Sequence, residues 1–269
     1  MPWKKRLWTA IFFACALLLH AEVENAGGLP WHYKLRGDDH AAIGHDLKKT
    51  SAIPANTRGT IKVPRKLGRA RVRSLSPHAF YQCSGLTEIT LSKYIETFYT
   101  GAFQGCSSLK CIDLPGELTA LPNECFRECS SLTEIEIPSD VVSIGKLCFF
   151  KCTSLAKISF PKKMEKIDEK AFVGCSSLKE VQLPKGLKII SGETFSGCTS
   201  LTKAVIPEGV QAIGSAAFKN CTSLETVQLP ESLTSIASDA FQGCNALKEM
   251  VIPPGVKFLD PSLEKFRKE

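Results

Sequence analysis

No apolar stretch of the 269-residue sequence is long enough to cross a bilayer as a helix. The longest, Leu7 to Leu19, has 13 residues, short of the roughly 18 to 20 that a span requires. Groups that do chemistry are scarce as well. Of five histidines, four (His32, His40, His45 and His78) lie beyond the N-terminal segment. With no Gly-x-Ser-x-Gly and no glycine-rich phosphate loop, no nucleophile-plus-base constellation remains. One polar group, "GDDHAAIGHD" at 37 to 46, gathers Asp38, Asp39, His40, His45 and Asp46 and could hold a divalent cation. Its histidines are separated by four residues, which fits no zinc-protease helix motif, so the segment reads as a solvated loop. The expectation is a chain that is not an enzyme and uses no cofactor and no metal.

What is present begins at the N-terminus. Lys4, Lys5 and Arg6 precede the apolar run, and a small residue, Ala21, follows it, the layout of a secretory signal peptide. The chain is therefore expected to work outside the cytoplasm, in the periplasm, secreted or on the cell surface. Acylation at Cys15, giving a lipid anchor, is the alternative. Removing residues 1–21 takes away three cations and lowers the net charge from +7 to +4. Residues 22–80 hold 11 Lys/Arg and five Asp/Glu, so the basic character belongs to this N-terminal part.

From Cys83 onward, cysteine recurs every 23 residues: Cys106, Cys129, Cys152, Cys175, Cys198, Cys221 and Cys244. With that cysteine as position 1, position 4 is always leucine, Leu86 through Leu247, and position 10 is proline from Pro115 to Pro253, with Ser92 in the first unit. Phenylalanine keeps the same period from Phe80 to Phe241. Positions 7 and 9 are apolar, as in Ile135 and Ile137, the alternation of a short strand with one buried face. Proline, lacking an N–H, then stops the ladder. Positions 13 and 16 are apolar again, as in Val141 and Ile144, which implies a return segment facing the same interior. One such unit has no opposite wall to bury these side chains against, and only a neighbouring copy supplies it.

These features resemble the 23-residue leucine-rich repeat of the BspA-like, or treponemal, class: leucine at position 4, aliphatics at 7 and 9, proline at 10, and a Gly-x-x-Ala-Phe segment such as "IGSAAF" at 213 to 218. The resemblance covers residues 80 to about 263. It implies a right-handed leucine-rich repeat solenoid with a parallel sheet on its concave face and loops, short strands or 3-10 turns on its convex face. It also implies a cell-envelope or secreted protein of the kind tied to adhesion to host matrix or to other bacteria. The expected organisation is a signal peptide at 1–21, an N-terminal extension or cap at 22–60, an atypical first coil with a basic insertion at 61–82, repeats at 83–259 and a C-terminal cap at 260–269, opened by a short helix with Asp260 as N-cap.

A thiol every 23 residues matches no chelating motif, so the cysteine ladder reads as packing. Cys125 and Cys148, both at position 20, read as packing rather than as a disulfide. Cys111, at position 6, is expected to face solvent. The open face of the sheet is expected to carry position 6 (Glu88, Cys111, Glu134, Lys157, Glu180, Lys203) and position 8 (Asp113, Glu136, Gln182, Val205, Gln228, Val251). Glu134 to Lys203 alternate in sign as an ion-pair ladder would, and Val205 and Val251 suggest an apolar recognition patch. A second candidate surface is the segment 58–73, with Arg58, Lys62, Arg65, Lys66, Arg69, Arg71 and Arg73 and no acid, expected to project from the first coil. In a secreted protein such a run suits sulfated polysaccharide, anionic lipid or acidic protein rather than nucleic acid. The function expected is a non-catalytic, adhesin-like protein-binding module, its partners host matrix components or bacterial surface proteins. The alternatives are a self-assembling envelope protein, which would form homo-oligomers, and a polyanion-binding adhesin that uses the basic segment.

Overall fold

A computed structural model describes residues 22–45, 49–257 and 261–267. The signal-peptide segment with Cys15, and Asp46 and Asp260, lie outside the described residues. The chain from residue 58 on winds as a solenoid, the first step from Arg58–Lys62 to Gly85–Thr90 taking 27 to 28 residues and each later 23-residue step returning the backbone to the same place one coil further along. Two short strands per coil pair in parallel with their equivalents. One series holds Glu134–Glu136 beside Lys157–Ser159, then Glu180–Gln182, Lys203–Val205, Thr226–Gln228 and Glu249–Met250 in that order. The other holds Ala120–Leu121, Ser143–Ile144 and Lys166–Ile167, then Ile189–Ile190, Ala212–Ile213 and Ser235–Ile236. Counting coils from Cys83, both series are interrupted between the fourth and fifth, after Lys157–Ser159 and after Lys166–Ile167.

The interior is a set of columns. Leucine at position 4, the aliphatics at 7, 13 and 16, and the cysteine at 1 are buried in coil after coil. The phenylalanines from Phe80 to Phe241 form one stack, with ring centroids 5.1 to 5.5 Å apart and planes within 14° of parallel. Each such contact adds about 0.5–1.5 kcal/mol beyond the area it buries, so the stack ties every coil to both neighbours.

The third side of each coil, between Phe and Cys, is a turn with its own ladder. Phe126 N–H donates to Cys148 O at 2.8 Å, Glu124 N–H to Lys146 O at 2.9 Å and Glu128 N–H to Phe150 O at 2.7 Å. The same bonds recur one coil on, from Leu147, Phe149 and Lys151 to Glu169, Ala171 and Val173. Reaching these carbonyls requires the left-handed conformation at positions 19 and 23. Gly101, Gly105, Gly174 and Gly197 adopt it freely, but Glu124, Glu128, Leu147, Lys151, Lys170 and Glu193 adopt it too, with φ between 54° and 62°.

The N-terminal end is closed by a mixed sheet of β1 (Glu22–Ala26), β2 (Leu29–Leu35), β3 (His40–Ile43), β5 (Lys66–Leu67) and β6 (Ala70–Leu75), in the order β1-β2-β3-β6-β5. Between β3 and β5, β4 (Arg58–Lys62) instead opens the solenoid ladder by pairing with Gly85–Thr90. Trp31 on β2 stands edge-on to Phe80, centroids 6.2 Å apart at 85°, and so ends the phenylalanine stack. Segment 37 to 46 is thus no solvated loop: its middle is strand β3, and Ala41, Ala42 and Ile43 are buried against β6. The small apolar run inside the polar segment overrides its flanks. Nor does the insertion of 61–82 project freely. It folds back as the β5–β6 hairpin, whose Leu67 and Ala70 are buried. At the other end, a 3-10 helix, Pro261–Phe266, covers the last coil, where Ile252 N–H donates to Phe266 O at 2.8 Å.

An L-residue in the left-handed conformation costs about 1–2 kcal/mol, partly offset by glycine's larger loss of chain entropy, roughly 0.5–1 kcal/mol. Lys151→Gly and Leu147→Gly are therefore expected to stabilise the solenoid by about 0.5 to 1 kcal/mol each. Gly174→Ala, whose Cβ would meet nothing closer than 3.5 Å, should lose a similar amount through its backbone alone. Thermal unfolding of the three variants checks this, and a lower midpoint for both glycine variants contradicts it.

Candidate interaction surfaces

The open face of the first strand series is built as its periodicity requires. Position 7 points in and is buried in every coil, while positions 6 and 8 point out. Glu88, Asp113, Glu134, Glu136, Lys157, Glu180, Gln182, Lys203, Gln228 and Val251 are exposed, and Val205 is half-buried. Strand pairing sets Glu134 beside Lys157 and Glu180 beside Lys203, yet no ion pair closes between them. Ion pairs between coils stand in other columns: Asp140 with Lys163 at 2.5 Å, Lys146 with Glu169 at 3.2 Å, Lys170 with Glu193 at 3.1 Å and, at position 5, Lys248 with Glu225 at 3.9 Å. Position 6 side chains rise from an open sheet into solvent, where a pair gains little. Those at positions 12, 18 and 19 leave from turns. Val205 and Val251 are not brought together either, because Gln228 pairs with Val205 and stands between them. A groove of about 700 Å³ lies on this face over the second to fourth coils, lined among others by Cys111, Asp113, Glu134, Glu136 and Lys157. It opens where residues 111–113 and 134–136 form no ladder pairs.

The basic segment divides between two places. Arg58 and Lys62 sit on β4, in the column that continues the open face. Lys66, Arg69 and Arg71 sit on the β5–β6 hairpin, with Lys66 and Arg71 directly opposite each other. Arg65 is exposed just before it. Arg73 is not a free cation: its guanidinium pairs with Glu96 and lies 3.7 Å from Asp39. Two residues that the charge run alone does not mark, Lys93 and Tyr94, adjoin the hairpin, with Arg71 5.4 Å above the Tyr94 ring. Their only signal in the sequence is that the first repeat departs from pattern here, with Ser92 where proline stands elsewhere.

The thiols of the cysteine ladder each donate a hydrogen bond one coil back, to the carbonyl of a phenylalanine. Cys129 Sγ reaches Phe103 O at 3.2 Å, Cys152 reaches Phe126 O at 3.1 Å and Cys198 reaches Phe172 O at 3.3 Å. For Cys83, the first, Ser51 Oγ from the cap takes that place at 3.0 Å. Cys244, half-buried at the end of the ladder, is lowered by its hydrogen bond with Cys221, whereas burial pushes the ladder thiols from Cys83 to Cys198 up, Cys198 to about 12, and Cys125 and Cys148 are likewise raised by burial and remain free. They are inert donors and not nucleophiles. Cys111 is exposed. His40 Nε2 lies 3.0 Å from Ser74 Oγ, and burial, then Arg36 and Arg73, lower its pKa.

Parallel strands at a 23-residue period over a leucine column and a one-residue-per-coil phenylalanine stack define a leucine-rich repeat solenoid. The family model described as BspA type leucine rich repeat region, six copies, matches residues 66–179 and 142–265, and the chain belongs to that family. A leucine-rich repeat protein of Bacteroides ovatus has a similar structure, with TM-score 0.73 and 24% identity over 90% of this chain and 60% of its own. The chain thus spans less than two thirds of that protein. The pneumococcal vaccine antigen PcpA is similar at TM-score 0.51 and 20% identity, over 90% of this chain and 78% of its own. The leucine-rich repeat protein of T. pallidum is 28% identical over 85% of this chain and 83% of its own, at TM-score 0.48. No curated protein matches the chain.

The raised thiols set an alkaline limit. An unfolded cysteine titrates near about 8.5, whereas Cys198 in the folded chain titrates at about 12. The stability this holds is complete below about pH 8.5 and falls as pH rises toward the folded value, because only the unfolded state loses protons. Each such thiol contributes a slope of about 1.4 kcal/mol per pH unit in that window. Unfolding midpoints between pH 7.5 and 10.5 should fall steeply, and less steeply for Cys198→Ser. Equal slopes would contradict the assignment.

Proposed function

We propose that the chain is a non-catalytic, extracytoplasmic recognition module, adhesin-like in role, that binds protein through the open face of its first strand series. The observation that carries this reading is the contrast between columns. Positions 1, 4, 7, 13 and 16 repeat with little change and are buried, while positions 6 and 8 of the same strands are exposed and vary from coil to coil. A fixed core beneath a varied face presents about one new pair of side chains per coil, at a strand spacing of roughly 4.8 Å. The acidic lining of the groove, Asp113, Glu134 and Glu136, favours a cationic stretch of the partner. The cationic and apolar layout of residues 1–21 supports export. Among the described residues no helix is long and apolar enough to cross a membrane.

A second reading, sulfated polysaccharide held by the basic segment, is supported by the exposure of Arg58, Lys62, Arg65, Lys66, Arg69 and Arg71.

The first reading is tested by binding to immobilised extracellular-matrix proteins at low and high salt, with Glu134→Lys/Glu136→Lys and Val251→Ser variants. Binding that survives high salt, since exposed charges are screened over about 10 Å or less, and that is lost in the lysine variant supports it. Binding indifferent to these substitutions, or abolished by salt alone, sinks it.

A further inference from the structure

The second reading treats the basic segment as one surface, but the fold does not. Arg58 and Lys62 lie on β4 beside the open ladder, and Arg73 is taken up by Glu96 and Asp39. What remains on the β5–β6 hairpin meets a cation and an aromatic ring from the first repeat. The Arg71 guanidinium stands 5.4 Å and the Lys93 ammonium 5.5 Å from the centroid of the same ring, Tyr94, which is 40% exposed. Lys66 faces Arg71 across the hairpin, and Arg69 occupies its turn.

We infer that this cluster, Lys66, Arg69, Arg71 and Lys93 around Tyr94, is a preformed site for the sulfate groups of an acidic polysaccharide; it rests on the second reading above and narrows it to one face. Three features carry the assignment. First, among the described residues no carboxylate lies within ion-pair distance of any of the four cations. Asp39 and Glu96 pair with Arg73, and Glu24 accepts from the backbone N–H of Gly68, which leaves one carboxylate charge at the hairpin turn against the four cations. Second, the ring holds two cations in place without neutralising them. A cation over an aromatic face is attracted by the quadrupole, at about 0.5–1 kcal/mol when exposed, but keeps its full charge. Two like charges held near one ring repel each other, and an anion that meets both relieves that repulsion. Third, the scaffold is rigid. Leu67 and Ala70 anchor the hairpin in the core, β6 pairs with β3 on one side and with Thr97–Phe98 on the other, and Glu24 fixes the turn. The backbone that carries the cations, and the Arg71 and Lys93 side chains held at the ring, are thus in place before any ligand arrives, which lowers the entropic cost of binding.

A sulfated chain suits the site because its cations follow one short hairpin and the adjoining Lys93 at the cap, a path that a single flexible polyanion can track. Nucleic acid and anionic lipid enter the test as rivals. The protein is applied to immobilised heparin and to fully desulfated heparin, beside phosphatidylserine vesicles and a DNA duplex. Three variants are compared: Lys66→Ser/Arg69→Ser/Arg71→Ser, Tyr94→Leu, and Arg58→Ser/Lys62→Ser. Their circular dichroism melts establish that each is folded.

The expected result is binding to heparin and not to the desulfated form. The triple variant should bind about tenfold more weakly, with a shallower salt dependence. Tyr94→Leu, which keeps every charge, should also bind more weakly, and Arg58→Ser/Lys62→Ser should match the unchanged protein. If only the Arg58/Lys62 variant loses heparin, the polysaccharide reading stands and this site is wrong. If the unchanged protein ignores heparin, both fall. Binding to vesicles or DNA as tight as to heparin would reduce the cluster to undirected charge and overturn the assignment.

Discussion

The bonds that hold the stack in register are the backbone hydrogen bonds of the convex turn. Positions 19, 21 and 23 of one coil donate to positions 18, 20 and 22 of the next, and the series runs from His78 to Asn220 with the phenylalanine at its centre. Both strand series are interrupted between the fourth and fifth coils, yet Lys170, Phe172 and Gly174 still reach Gly192, Thr194 and Ser196 there. A buried peptide group left without a partner costs more than a typical bond gains. The turn must therefore present three N–H groups to the next coil whatever side chains it carries. That requirement explains why glutamate, lysine and leucine sit in the left-handed conformation at positions where glycine would be easier. The strain is local, about 1–2 kcal/mol per residue, and each strained residue is itself a donor in the ladder.

The same turn gives the cysteine its place. Each phenylalanine carbonyl already accepts the N–H of the cysteine three residues on, as Phe126 O does from Cys129 at 3.1 Å, and its second lone pair takes the thiol of the next coil. A small, weakly polar side chain is what fits between a carbonyl and a leucine column. Where the stack begins there is no earlier coil, and the cap supplies what the repeat would otherwise provide: Ser51 for the first thiol and Trp31 for the open face of Phe80.

This division decides how much could be read from the amino acids alone. The period, the buried columns, the strand at positions 7 to 9 and the outward course of positions 6 and 8 all follow from residue type at fixed spacing, because burial is periodic when the backbone is. What the pattern does not carry lies where the period stops or where long side chains choose among neighbours. Strand β3 hides in a polar stretch because its apolar part is only Ala41, Ala42 and Ile43. The hairpin is invisible to a period of 23, since β5 and its turn lie in the insertion and only the end of β6, where Ser74 and Leu75 pair with Thr97 and Phe98, keeps the period. The Glu134–Lys157 pairing is correct in register but not in contact, because a shared register brings Cβ atoms together and leaves flexible ends to solvent. For the same reason a run of seven cations gave no hint that one, Arg73, is spoken for by Glu96. Nor did it show that Lys93, 20 residues beyond that run, adjoins its hairpin.

The shape of the open face follows from a mismatch of spacings. Rings whose planes are within 14° of parallel are related nearly by translation, so their centroid separations of 5.1 to 5.5 Å measure the rise from coil to coil on the phenylalanine side. Paired strands stand about 4.7–4.9 Å apart. A stack that rises further per coil on one side than on the other must bend, and it bends toward the shorter side, which is the strand series. At that general strand spacing, an aromatic ring seated one per coil, with its turn, takes more room than a pair of hydrogen-bonded strands, and the difference favours a concave sheet. Side chains at positions 6 and 8 accordingly lean toward one another from coil to coil. A partner that meets several coils at once must then present a convex surface.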